Sequence, residues 1–235
     1  MLSMLRGRVL AAAAFAVGIA ASAPVSAQTV GYTSYSLTNR ETVDIDNPNI
    51  GPVGAGRIVL QGVTINGVGA ANINAWCIDV NNTLIQGTAT YGFGSLSDAT
   101  MAIKLNALLN GASSLNLTSG VNSAAMQVAV WKFVVPGFVM NNSFSNAGTS
   151  LAETQLINSL SNTFVTNVNS SIWTANPAQT LKTLDPLNPT TNQRLITLVP
   201  TPSAGITVPE PASIALITVG LAGISVARRR RRTQH

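Results

Sequence analysis

The sequence predicts an α+β protein: an antiparallel sheet or partial β-barrel carrying a three-helix insertion, flanked by segments for export and anchoring. Three observations predict it. The first third of the body alternates in the manner of strands, the middle takes a helical period, and the last third returns to extended chain. Runs of strands followed by runs of helices place helices on one side of an antiparallel sheet.

Each element follows in order. "TVGYTSYSLT" (29–38), "GRIVLQGVTING" (56–67) and "ANINAWCIDV" (71–80) are rich in β-branched and aromatic residues and read as strands. "DNPNIGPVGAG" (46–56) reads as a loop from its Pro and Gly punctuation. Ser97 or Asp98 can cap a helix through "ATMAIKLNALLN", with Met101, Leu105 and Leu108 on one face and Gly111 as its stop. "NSAAMQVAVWKFV" (122–134) reads as a second helix, ended before Pro136. A third begins at Ser150, where Ser150 and Glu153 have capping-box spacing and Leu156, Leu160 and Phe164 follow at helical intervals. "NQRLITLVP" (192–200) reads as a strand.

The two ends carry their own signals. Residues 1–27 read as a secretory signal peptide: Arg6 and Arg8, an alanine-rich apolar run, then Val25-Ser26-Ala27 as the cleavage site for signal peptidase. A Pro-rich spacer at 200–211 ends in Pro209-Glu210-Pro211. Residues 212–227 are apolar and read as a short transmembrane sorting helix, and 228–235 form a basic cytoplasmic tail that opens with Arg228, Arg229 and Arg230.

These ends explain the charge. The whole chain is formally +5, yet between residues 28 and 207 there are six basic and seven acidic residues. The body is near neutral, with no basic stripe for nucleic acid. The single histidine is His235, so the body has no imidazole for a Ser-His-Asp triad, a Cys-His dyad or most zinc sites. Asp44 and Asp46 lack the closing acidic residue of an EF-hand-like loop, and "GPVGAG" lacks the lysine of a phosphate loop. Nothing nominates turnover chemistry, a metal or a cofactor, and the expectation is a non-enzyme.

The order Pro-Glu-Pro, short apolar helix and arginine cluster resembles the PEP-CTERM sorting signal of Gram-negative bacteria. The resemblance implies recognition and cleavage by an exosortase. It implies a cell-surface or extracellular-matrix destination, in species that make extracellular polysaccharide and biofilm.

Cys77 is the only cysteine, so no intramolecular disulfide can form. A free thiol outside the cell is a liability unless buried or consumed. Burial as a small hydrophobe is one reading. Consumption has a candidate in Gln127, which lies on an otherwise apolar helix with Trp131 one turn on. A thiol and an amide held together can condense to an internal thioester with loss of ammonia.

Trp76-Cys77-Ile78 and Gln127-Val128-Ala129-Val130-Trp131 resemble the two motifs of bacterial thioester-domain adhesins. Met126 stands where a threonine is usual, and the spacing of 50 residues is short. The resemblance covers 28–199 and implies covalent adhesion: an amine or hydroxyl on a target attacks the thioester, acylates at Gln127 and releases Cys77. Trp76 and Trp131 would shield the bond. Asp79 either orients it or is a solvated surface acid. The alternative function is a non-covalent matrix protein, associated with extracellular polysaccharide, with a buried free Cys77.

Overall fold

The computed structural model describes residues 28–37 and 39–201. The segments expected to be a signal peptide (1–27), a transmembrane sorting helix (212–227) and a basic tail (228–235), and the PEP motif, lie outside the described residues. Among the described residues no helix is long and apolar enough to cross a membrane.

In chain order the strands before the helices are β1 (Thr29–Tyr32), β2 (Ser34–Ser36), β3 (Arg40–Asn47), β4 (Gly51–Gly56), β5 (Ile58–Gln61), β6 (Thr64–Ile65), β7 (Val68–Gly69), β8 (Ile73–Cys77) and β9 (Ala89–Gly94). Then come α1 (Ala99–Gly111), α2 (Gly120–Val134), β10 (Val139–Met140) and α3 (Leu151–Asn169). The hairpin β11 (Gln179–Asn188) and β12 (Leu195–Pro200) follows.

Nine strands form one sheet in the order β2-β5-β8-β12-β11-β9-β1-β6-β7, and its paired strands are antiparallel. Only Thr33 separates β1 from β2, yet β2 is at one edge of that order and β1 near the other. The sheet therefore curls back on itself as a partial barrel, as the sequence predicts. Tyr32, Leu60, Tyr91, Leu184 and Leu195 are fully buried within it. A smaller sheet, β10-β3-β4, lies beside it.

The helix α2 packs against β3, β4, β8, α1 and α3. Every residue from Ser123 to Trp131 is buried. A helix enclosed on all sides needs no polar face, which explains its apolar composition. Asp98 caps α1 by accepting from the Thr100 and Met101 amides, and Ser150 and Glu153 form the predicted capping box of α3.

Four sequence expectations need correction. The segment 46–56 is not a loop throughout: β4 occupies its second half and pairs with β3, a strand the alternation did not single out. A Cβ at Gly56 would come within 2.6 Å of the Asn39 carbonyl oxygen, so Gly56 permits close approach, whereas Gly51 takes a positive φ of 83° at the start of β4. The terminal strand is a hairpin, because β11 precedes β12. The buried face of α3 is Thr154, Ile157, Ser161, Phe164 and Val168, while Leu156 is exposed. That face turns to α2, where Ser161 accepts from Lys132 at 2.8 Å, so it contains a serine that an apolar count passes over. Finally, Cys77 ends β8 rather than sitting in mid-strand.

Candidate functional site

The site begins with a strand that changes sheets. Strand β5 pairs with β8 through Ile58↔Ala75, Val59↔Asn74 and Leu60↔Ile73. Continued by two residues, that register would set Gly56 opposite Cys77. Gly56 is instead paired with Arg40 in the other sheet, because the chain crosses between sheets at Arg57. On its opposite edge β8 remains paired with β12, and the Ile78 amide reaches the Arg194 carbonyl at 3.1 Å. In an antiparallel strand alternate residues direct their backbone groups to opposite edges. Cys77 thus points its N–H and C=O into the gap that β5 vacates.

Gln127 fills that gap. The Cys77 amide donates to Gln127 Oε1 at 3.0 Å, and Gln127 Nε2 donates to the Cys77 carbonyl at 2.7 Å. The side-chain amide replaces the missing backbone partner, and the two bonds fix which end is oxygen. One turn earlier on α2, Ser123 Oγ accepts from the Arg57 amide at 2.7 Å. Residues four apart on one helix thereby close both breaks in the ladder. Gln127 is 1% exposed and Cys77 3%.

The sulfur has its own surroundings. Cys77 Sγ–H donates to the Asp79 carbonyl at 2.9 Å. Burial pushes the thiol up to about 12; hydrogen bonding from the Asp79 backbone and from the Trp131 indole N–H opposes that rise. The Trp131 Nε1–H is buried and has no hydrogen-bond partner of good geometry. It is thus a donor beside the sulfur whose capacity is unmet while the thiol keeps its proton.

The predicted residues divide. Cys77, Gln127 and Trp131 come together. Trp76 is buried and lines a cavity of about 570 Å³, whereas Trp131 lines a separate one of about 370 Å³ with Tyr35, Arg40, Asn81 and Gln193. Neither Cys77 nor Gln127 lines either cavity. The Asp79 carboxylate accepts from the Asn81 amide at 3.0 Å and from Asn82 Nδ2, and its charge adds to the rise of the thiol. Because β8 ends at Cys77, regular strand alternation does not extend to Asp79, whose carbonyl accepts from the thiol. Pro209, Glu210, Pro211, Arg228, Arg229 and Arg230 lie outside the described residues.

Sequence reasoning missed Ser123 and Gln193. Ser123 was within reach as the residue four before Gln127. Gln193 donates to the Asp79 carbonyl and the Asn82 carbonyl, each at 2.8 Å, and so holds the 79–82 loop over the sulfur. Nothing local in the sequence marks that long-range contact.

Comparison with known proteins gives a family for the tail and a likeness for the body. Residues 207–232 match the PEP-CTERM protein-sorting motif. The chain thus carries a signal for export, surface sorting and exosortase processing. The fold is similar to the N-terminal domain of the Streptococcus pyogenes pilus tip adhesin Cpa, at 13% identity and TM-score 0.45, covering 74% of this chain and 94% of that one. It is similar to the N-terminal thioester domain of a surface protein from Clostridium perfringens, at 15% identity and TM-score 0.43, over 73% of this chain and 99% of that one. It is also similar to the thioester domain of the Enterococcus faecium TIE86 protein, at 11% identity and TM-score 0.38, over 74% and 77%. No curated protein matches the chain by sequence.

Proposed function

We propose that this exported surface protein forms an internal thioester between Cys77 and Gln127 and uses it to attach covalently to amines or hydroxyls on a target. The observation that carries the reading is the paired hydrogen bonding of the Gln127 amide to the backbone of Cys77 itself. That pairing holds the electrophilic carbon beside the residue that bears the nucleophile, and proximity of this kind lowers a barrier by several kcal/mol.

The chemistry balances without a histidine. The Cys77 N–H polarises the Gln127 carbonyl and supports negative charge on Oε1 as the sulfur adds. The S–Cδ bond forms, the Cδ–N bond breaks, and the thiol proton leaves with the nitrogen as ammonia. Capture reverses the roles. A target amine or hydroxyl bonds to Cδ, the Cδ–S bond breaks, and the target's proton returns to sulfur. The Trp131 N–H favours charge on the departing sulfur, and the Asp79 carbonyl receives the re-formed S–H. Each molecule reacts once, so the protein is not an enzyme.

One competing reading has support from the same bonds. Gln127 repairs a broken ladder, so a structural glutamine beside a free buried thiol is also satisfied. Methylamine separates the two. The full chain is treated, digested and mapped. The thioester reading expects the peptide containing Gln127 as its N-methyl amide, with one thiol released per chain. An unmodified Gln127 peptide in a folded sample overturns it.

A further inference from the structure

The cavity of about 570 Å³ walled by Trp76 is unused by the chemistry above. It lies between β8, the C-terminal end of α1, the 115–118 segment and β12. Its one charged lining residue is Arg57. The Arg57 backbone is fixed by Ser123, but its guanidinium has no ion pair or hydrogen bond among the described residues, and Nε is buried without a partner. A buried guanidinium N–H left unpaired is costly, and a carboxylate is the group whose two oxygens match its fork.

The rest of the wall narrows the ligand. Asn72, Asn74, Ser113 and Gln179 line the cavity, and among the described residues their side chains make no hydrogen bond within the protein. No aspartate or glutamate lines it. Four free amides and hydroxyls suit a ligand rich in hydroxyls, each able to donate and accept. Trp76, Leu109 and Leu198 add apolar wall for the C–H face of a ring. The volume falls within the ordinary range for small-molecule sites.

We infer that this cavity binds a sugar acid, with Arg57 gripping its carboxylate and Asn72, Asn74, Ser113 and Gln179 its hydroxyls. The inference is independent of the thioester. It adds a reversible recognition site to the same body, and Arg57 is tied to α2 one turn before Gln127.

Calorimetric titration of the full chain tests it, with digalacturonate, the neutral disaccharide galactobiose and the dipeptide Glu-Glu as probes. Digalacturonate should saturate, and galactobiose should bind at least about tenfold more weakly. Arg57→Gln should weaken digalacturonate by about tenfold or more, while methylamine incorporation at Gln127 is unchanged. Asn74 is exposed, so Asn74→Ala should weaken binding by a few fold without touching the fold. No saturation by digalacturonate in the wild type, equal binding of the neutral sugar, indifference to both substitutions, or equal binding of Glu-Glu would each overturn the inference.

Discussion

On α2, Gln127 and Lys132 lie five residues apart and carry polar heads in different directions. Gln127 faces the sheet and bonds to backbone groups of one residue, Cys77. Lys132 faces α3, where Nζ donates to Asn158 Oδ1 at 2.9 Å, Ser161 Oγ at 2.8 Å and Asn162 Oδ1 at 2.6 Å. Backbone partners cannot rotate away, so the Gln127 amide is locked in one pose against the backbone of Cys77. The partners of Lys132 are neutral side chains, and no carboxylate offsets its desolvation. Burial lowers its pKa from 10.5 to about 8. Fixed geometry on one side of the helix makes a reaction possible; a neutral cluster on the other makes a titration.

The largest expected effect breaks the sheet-facing side. In a Cys77→Ala background, where no cross-link can form, Gln127→Ala leaves the buried N–H and C=O of residue 77 without partners. Each unsatisfied group costs about 1–3 kcal/mol, so the unfolding free energy should fall by about 2–6 kcal/mol in urea denaturation. A loss below about 1 kcal/mol would mean that water or neighbouring backbone fills the gap.

The α3-facing side gives a smaller, pH-dependent effect. The folded pKa of Lys132 is below its unfolded value, so the unfolded chain binds more protons between about 8 and 10.5. Stability therefore rises with pH through that window and is lost as pH falls through 8. Cys77 opposes this where its thiol is free, because an unfolded thiol ionises near 9.0 while the folded one is held up to about 12. In the Cys77→Ala background the urea midpoint should climb from pH 8 to pH 10, and Lys132→Met should flatten the climb. The smallest effect concerns Asp79. Asp79→Asn alters only the carboxylate, which bonds Asn81 and Asn82 rather than the thiol. Methylamine incorporation at Gln127 should persist; its loss would assign the carboxylate to proton transfer.

The local signals of this chain are legible in its sequence, and its long-range pairings are not. Helical periods and caps at Asp98 and Ser150 are written within a few residues, and all three helices form near their predicted bounds. β3 and β4 form a local hairpin that is hidden because four of the six residues of β4 are glycine or proline and read as loop, and β11 carries Pro186 and pairs with distant β9 as well as with β12. The meeting of Cys77 and Gln127 could be suspected because a lone thiol and a lone amide on an apolar helix are each anomalous. Its cause could not, since it depends on Gly56 pairing with Arg40 instead of Cys77. The same-face placement of Asp79 assumed a regular strand, and β8 stops at Cys77.

The most direct measurement of the central claim is the intact mass of the exported protein beside that of its Cys77→Ala variant, both with termini assigned by peptide mapping. Once the substituted atoms are subtracted, the wild type should be lighter than the variant by one ammonia. Two masses that differ by the substitution alone, in a folded wild type that has not met a nucleophile, would contradict a thioester between Cys77 and Gln127.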